Sequence, residues 1–192
     1  MPALILGLLL FFGAHSVAIV APQWRERMRP RIGEGAWKGG YSVLSAVGFV
    51  LMIVGYAHAR QTTAVLYLPP APLRYLTFVL MLPVFPLLLA AYLPGRIQAR
   101  ARHPMLAAVK LWATAHLLAI GTVADVLLFG SFLVWAIIDR IALKRRQPPA
   151  AARKPLPLAD AIAVSFGLLL YALFIWKLHA LLIGVSPLAP PV

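Results

Sequence analysis

Proline-rich and arginine-rich breaks cut this 192-residue chain into six apolar stretches of about 20 residues. That is the length a helix needs to cross a hydrocarbon core. The stretches cover about 2–21, 40–57, 73–93, from after Pro104 to about 120, 123–143 and 158–184. In lipid, backbone groups must bond within their own segment, so each stretch is expected to be a helix. The expected fold is all-α: a polytopic transmembrane helical bundle of about six helices.

Composition supports a bilayer as the solvent. The chain is 62% hydrophobic and 12% charged, where a soluble domain carries about 25% charge. Its net charge is +13. In a soluble protein that balance would suggest nucleic acid. Here the cations sit in short clusters between apolar runs, so the reading is membrane orientation, with anionic lipid as a weaker partner. No nucleic-acid role is expected. The chain has no cysteine, which removes disulfides, thiolate metal sites, iron–sulfur clusters and cysteine nucleophiles.

The breaks are chemically coherent. Pro22 and Pro30 follow the first stretch, Leu68-Pro69-Pro70-Ala71-Pro72 separates the second from the third, and Pro94-Gly95 ends the third. Pro104 suits the first turn of helix four. Pro83 and Pro86 should kink helix three. Pro148-Pro149 and Pro155-Leu156-Pro157 bracket a polar linker, after which Asp160 falls in a first helical turn, where the dipole favours a carboxylate. Met1-Pro2-Ala3 supplies no positive start for a signal peptide, so the first stretch is read as a retained helix. One transmembrane domain is expected over 1–186, with a tail at 187–192.

Charge sets the expected orientation. Loop one holds Arg25, Arg27, Arg29, Arg31 and Lys38; loop three holds Arg96, Arg100 and Arg102. Loop five holds Arg140, Lys144, Arg145, Arg146, Arg153 and Lys154. The opposite side offers Arg60, Arg74 and Lys177, while Lys110 lies inside helix four, close enough to the basic side to snorkel. Positive loops stay inside, so both termini are expected to be periplasmic and the location a bacterial inner membrane.

Ionisable groups at membrane depth are functional candidates. His15 lies in helix one and His116 in helix four. His179 and His58 lie near the outer ends of helices six and two, and His103 lies in the interfacial Arg102-His103-Pro104. Asp125, Asp139 and Asp160 are expected near helix ends. Without a deep acid there is no Ser-His-Asp arrangement, no oxygen-rich cation site and no usual proton relay. Neutral imidazoles in an apolar bundle do suit haem iron, with the propionates toward the basic face. Against this stands the plainer reading of a histidine as an interhelical hydrogen-bonding group; for His58 and His103 a solvated or capping role is favoured. Trp112, one turn before His116, either stacks on a bound ring or simply packs.

Depth leaves the pair open. His15 precedes Arg25 by about 15 Å of helix, and His116 follows His103 by about 20 Å. If helix one stops at Ala21, the mismatch grows to about 10 Å, and His58 or His179 matches His116 better.

The chain resembles the NnrU family of bacterial membrane proteins. The resemblance rests on Gly13-Ala14-His15-Ser16, Ala91-Tyr92-Leu93-Pro94-Gly95 and the run from His103-Pro104-Met105 to Leu111-Trp112-Ala113. It continues through Ala115-His116-Leu117-Leu118, Leu127-Leu128-Phe129-Gly130-Ser131-Phe132 and Leu178-His179-Ala180 to Gly184-Val185. Family members often read Asn-Gly-Asp after the helix-four histidine; this chain has Ile120-Gly121-Thr122, with its acid at Asp125. The family takes its name from a link to nitrite and nitric oxide metabolism. It is also similar to the 15-cis-zeta-carotene isomerase, a haem b membrane protein whose ligands lie in helices matching those of His15 and His116. The resemblance therefore implies haem b on His15 and His116, with nitric oxide or a polyene lipid as partner. The isomerase is associated with a cysteine near the helix-four histidine, and this chain has none. A methyltransferase of the isoprenylcysteine type, which also carries an Arg-His-Pro element, and a non-catalytic assembly factor are the further alternatives.

Overall fold

In the computed structural model, which describes residues 1–146 and 156–189, the chain folds as a series of helices. They are α1 (Pro2–Val20), α2 (Pro22–Ile32), α3 (Glu34–Thr62), α4 (Leu73–Met81), α5 (Val84–Ala90), α6 (Arg96–Ala101), α7 (Pro104–Ala119), α8 (Val123–Arg146) and α9 (Pro157–Leu173). A π-helical turn, Phe174–Leu178, joins α9 to α10 (His179–Ile183). Among the described residues there is no named strand, only an isolated bridge between Val65 and Thr122.

Five spans are long and apolar enough to cross a membrane: Pro2–Val20, Glu34–Thr62, Leu73–Ala90, Val123–Arg145 and Leu158–Ile183. The shorter apolar helix Pro104–Ala119 is the sixth expected stretch. The all-α polytopic bundle expected from the sequence is therefore the fold. Where it differs is at the breaks. Loop one is helical as α2, because Gln, Arg, Glu and Met are good helix formers and Pro22 occupies the first turn. Loop three is also partly helical, as α6. The second apolar stretch extends to 29 residues as α3. The expected kink in helix three is a break: α4 ends at Met81 and α5 starts after Pro83, where the ring denies the helix its N–H. The Pro148-Pro149 linker, Arg153, Lys154 and Pro155 lie outside the described residues, as does the tail from 190 to 192.

The chain divides into two compact units. One is Met1–Leu66 with Thr122–Ser131; the other is Tyr67–Gly121 with the chain from Phe132 onward. In the first, α1 packs along α3. In the second, α9 packs on α5, and α7 on α4 and α5.

The packing is that of a protein dissolved in lipid. The buried set is rich in alanine, including Ala59, Ala108, Ala113, Ala115, Ala124 and Ala136. Large apolar side chains such as Leu9, Val43, Val47, Val50, Val79 and Phe166 face outward. Lipid tails are as apolar as leucine, so helices gain by close backbone approach rather than by hiding large side chains. Gly7, Gly48 and Gly55 make that approach between α1 and α3. A Cβ on Gly7 would lie 2.6 Å from the Met52 nitrogen and 2.8 Å from the Gly48 oxygen. A Cβ on Gly48 would lie 2.8 Å from the Phe11 nitrogen, and Gly55 meets the Leu4 backbone more tightly still. In the second unit, Gly167 meets Pro86 in the same way, at 2.5 Å.

Gly33 has φ 90 between α2 and α3, a region open to glycine and strained for other residues. It lets the chain reverse from the basic helix into α3 in a single residue.

Gly7→Ala should therefore lower stability by roughly 1–3 kcal/mol, the usual range for overpacking. Gly13→Ala, where nothing lies within 4 Å of the added atom, should be neutral or stabilising. Reversible unfolding in mixed detergent measures both; equal effects would show that the α1–α3 approach is not the constraint.

Candidate functional site

The five histidines fall in different settings. His15 is half-buried in α1 and His116 half-buried in α7. His58 is exposed in α3, His179 opens α10, and His103 is the residue before α7. In the first unit, the His15 Nδ1–H donates to the Phe11 carbonyl at 2.8 Å, and His58 does the same to Val54 at 2.8 Å. In the second, His116 donates to Trp112 at 2.8 Å and His179 to Val185 at 2.6 Å. A carbonyl can only accept, so Nδ1 carries the proton in the neutral ring. The lone pair is then on Nε2, the arrangement that metal-binding histidines adopt when a backbone oxygen orients them.

His15 lies in the better-defined surroundings. Its ring stacks on Phe11 at 4.1 Å and faces Tyr41 at 5.2 Å. It lines a cleft of about 240 Å³ with Arg25, Arg29, Trp37, Lys38 and Tyr41. The elements around it are α1, α2 and α3, all in one unit. α1 ends at Val20, so His15 is five residues from its end, about 7.5 Å. That is the shorter count considered above, the one under which His58 or His179 suits His116 better.

Trp112 packs: its ring lies 5.3 Å from His116 and edge-on to Phe132 at 5.4 Å. His103 is displaced toward the neutral form, its pKa lowered first by burial and then by the Arg140 and Arg102 charges, against an opposing pull from Asp139. The preceding residue is strained. Arg102 has φ 58 and ψ −42, the only positive φ outside glycine among the described residues. The His103 N–H closes a three-residue turn onto the Ala101 oxygen at 2.6 Å, a rare and strained geometry.

Sequence reasoning placed Asp125 at a helix end but gave it no role, and it missed Tyr56 entirely. Asp125 is 3% exposed. Its carboxylate accepts from the Tyr56 hydroxyl at 2.6 Å, the Thr122 N–H at 2.8 Å and the Thr122 hydroxyl at 2.7 Å. The Asp125 N–H returns a bond to the Thr122 hydroxyl at 3.3 Å. This is a capping box with aspartate in the glutamate position, legible as Thr-x-x-Asp at 122–125. Asp160, expected in a first turn, does more: it also accepts from the Arg96 and Ile97 N–H groups at 2.8 and 2.9 Å, capping α6.

Among the described residues no cluster of three histidine, aspartate or glutamate side chains is placed to hold a metal ion. The model for the NnrU protein family matches residues 3–187. The chain belongs to the NnrU family. No curated protein and no solved structure matches it. Membership covers nearly the whole chain, so both units and all five histidines belong to the NnrU region.

Asp125→Ala in this NnrU protein should destabilise by about 1–3 kcal/mol, since it strands the Tyr56 hydroxyl and the Thr122 N–H. Tyr56→Phe, which leaves the capping box whole, should be milder. Denaturation in mixed detergent ranks them, and the reverse order would refute the structural role. Arg102→Gly should gain roughly 1 kcal/mol by relieving the turn, read as a rise in unfolding midpoint.

Proposed function

We propose that this NnrU protein binds haem b through intramembrane histidines and acts in nitrite or nitric oxide metabolism. The observation that carries the reading is the fixed tautomer of His15 beside a basic cleft. The Nδ1–H is committed to Phe11, so a neutral Nε2 is the nitrogen that meets a metal, and Arg25, Arg29 and Lys38 stand beside it. His116, fixed the same way on Trp112, is the proposed second ligand, and His58 and His179, which the short α1 favours on depth as partners of His116, are the alternatives to His15. The donor set fits the group: neutral imidazoles in an apolar environment are haem ligands, and the absence of cysteine leaves histidine as the natural choice. When bound, the haem would supply iron able to take a diatomic ligand. The protein's part is to hold each imidazole in one tautomer.

The proposed orientation follows the charges. α2, α6 and the end of α8 carry most of the cations, and the rule that positive segments stay inside puts them in the cytoplasm of a bacterium. Both termini are then periplasmic and the membrane is the inner one.

The absorption spectrum of protein purified from haem-replete cells tests this. A Soret band is expected that is lost in His116→Ala and His15→Ala and kept in His103→Ala. Loss in His58→Ala or His179→Ala, with His15→Ala unaffected, would move the partner ligand. A colourless wild-type protein would overturn the haem reading.

A further inference from the structure

The cleft beside His15 has a composition that an imidazole site does not require. Its walls at Ala14, Val17 and Ala18 are apolar. Arg25 and Arg29 come from α2 and Lys38 from α3. One carboxylate answers two of these cations: Glu34 pairs with Arg29 at 2.8 Å and with Lys38 at 2.9 Å. Three cations against that shared anion leave the rim with surplus positive charge. A second hollow of about 390 Å³ shares Arg25 and Arg29 but is also lined by Glu26 and Glu34, so the surplus of positive charge belongs to the cleft beside His15.

Aromatic groups mark the same place. Trp24 of α2 lies 5.7 Å from Trp37 of α3, and Tyr41 faces the cleft. Tryptophan and tyrosine collect where hydrocarbon meets the polar head region. Beyond Tyr41, that face of α3 turns into the contact with α1 at Gly48 and Gly55, so the apolar surface beside the cations is the cleft wall itself, Ala14, Val17 and Ala18. A basic rim, an aromatic belt and an apolar wall at one place match the charged head and the first apolar part of an acidic amphiphile.

We propose that the α1–α2–α3 cleft is a binding site for the acidic head group, phosphate or carboxylate, of a membrane-embedded amphiphile. Arg25, Arg29 and Lys38 hold the anion, against the apolar wall of Ala14, Val17 and Ala18. Arginine suits this because its planar fork meets carboxylate and phosphate oxygens in pairs. A phospholipid phosphate and a porphyrin propionate share this chemistry. The site stands whether or not His15 ligates iron.

Full-length protein in mild detergent provides the test, with two probes. Retention of phosphatidylglycerol is compared with that of phosphatidylcholine by native mass spectrometry. Binding of haemin is compared with that of its dimethyl ester by Soret titration. The acidic member of at least one pair should bind more tightly, and which pair shows the preference names the source. Arg25→Gln with Arg29→Gln should reduce that preference by about fivefold per cation. Arg27→Gln with Arg31→Gln, the same charge change on α2 outside the cleft, should leave it intact. Circular dichroism and size exclusion check the fold, and Lys38→Gln replaces the arginine pair if that pair fails to fold. No acidic preference in either pair of ligands would overturn the proposal. So would an equal loss from both double variants, which would mean diffuse charge attraction and no built site.

Discussion

Everything in this chain rests on helices that must approach one another without help from water. In lipid no free energy is gained by moving leucine from the surface to the interior, so association depends on backbone proximity and on the few polar groups present. Gly7, Gly48 and Gly55 set the α1–α3 spacing because a single Cβ at any of them would meet backbone atoms of the other helix. That close pair anchors the first unit. It also fixes where α1 delivers His15 and where α3 delivers Tyr41, so the chemistry of the cleft depends on glycines half a helix away.

The same constraint governs the polar groups. A carboxylate among apolar helices is costly unless its lone pairs are met. Asp125 meets that condition with a tyrosine hydroxyl, a backbone N–H and a threonine hydroxyl. Asp160 meets it by capping a second helix besides sitting in its own first turn. Both carboxylates tie chain segments together, and both are accounted for by structure. The Tyr67 hydroxyl serves in the same way at the end of α7, donating to the Leu117 and Ile120 carbonyls at 2.5 and 3.0 Å. Gly121 is needed there, since a Cβ would run into the Tyr67 backbone and ring.

Much of the fold is legible in the sequence because span length and proline position are local properties. The start at Pro104, the break at Pro83 and the start near Val123 all follow from residues acting on their own backbone. The helical character of α2 was hidden because Arg25, Arg27, Arg29 and Arg31 read as a charged loop, although arginine is a good helix former. The union of α2 and α3 around the cleft was also hidden, since a one-residue reversal at Gly33 is a matter of φ and not of periodicity. Of the candidate site, the histidines were visible as residues but their tautomers were not, because the carbonyl that fixes each ring is four residues back for three of them and six ahead for His179. Tyr56 could not be found, as its partner Asp125 lies 69 residues away.

The carboxylates and the imidazoles of this chain are bonded in different ways. Asp125 is enclosed by partners that use its acceptor capacity on both oxygens. An imidazole that gives its Nδ1 proton to a carbonyl of its own segment is held in one tautomer, with the lone pair on Nε2. Here the Nδ1 bond of all four helical imidazoles is local to its own segment, so that bond does nothing to hold helices together. Its effect is orientation. In the proposed haem reading, that orientation would present Nε2 of His15 beside a rim of arginine and lysine in an otherwise apolar wall.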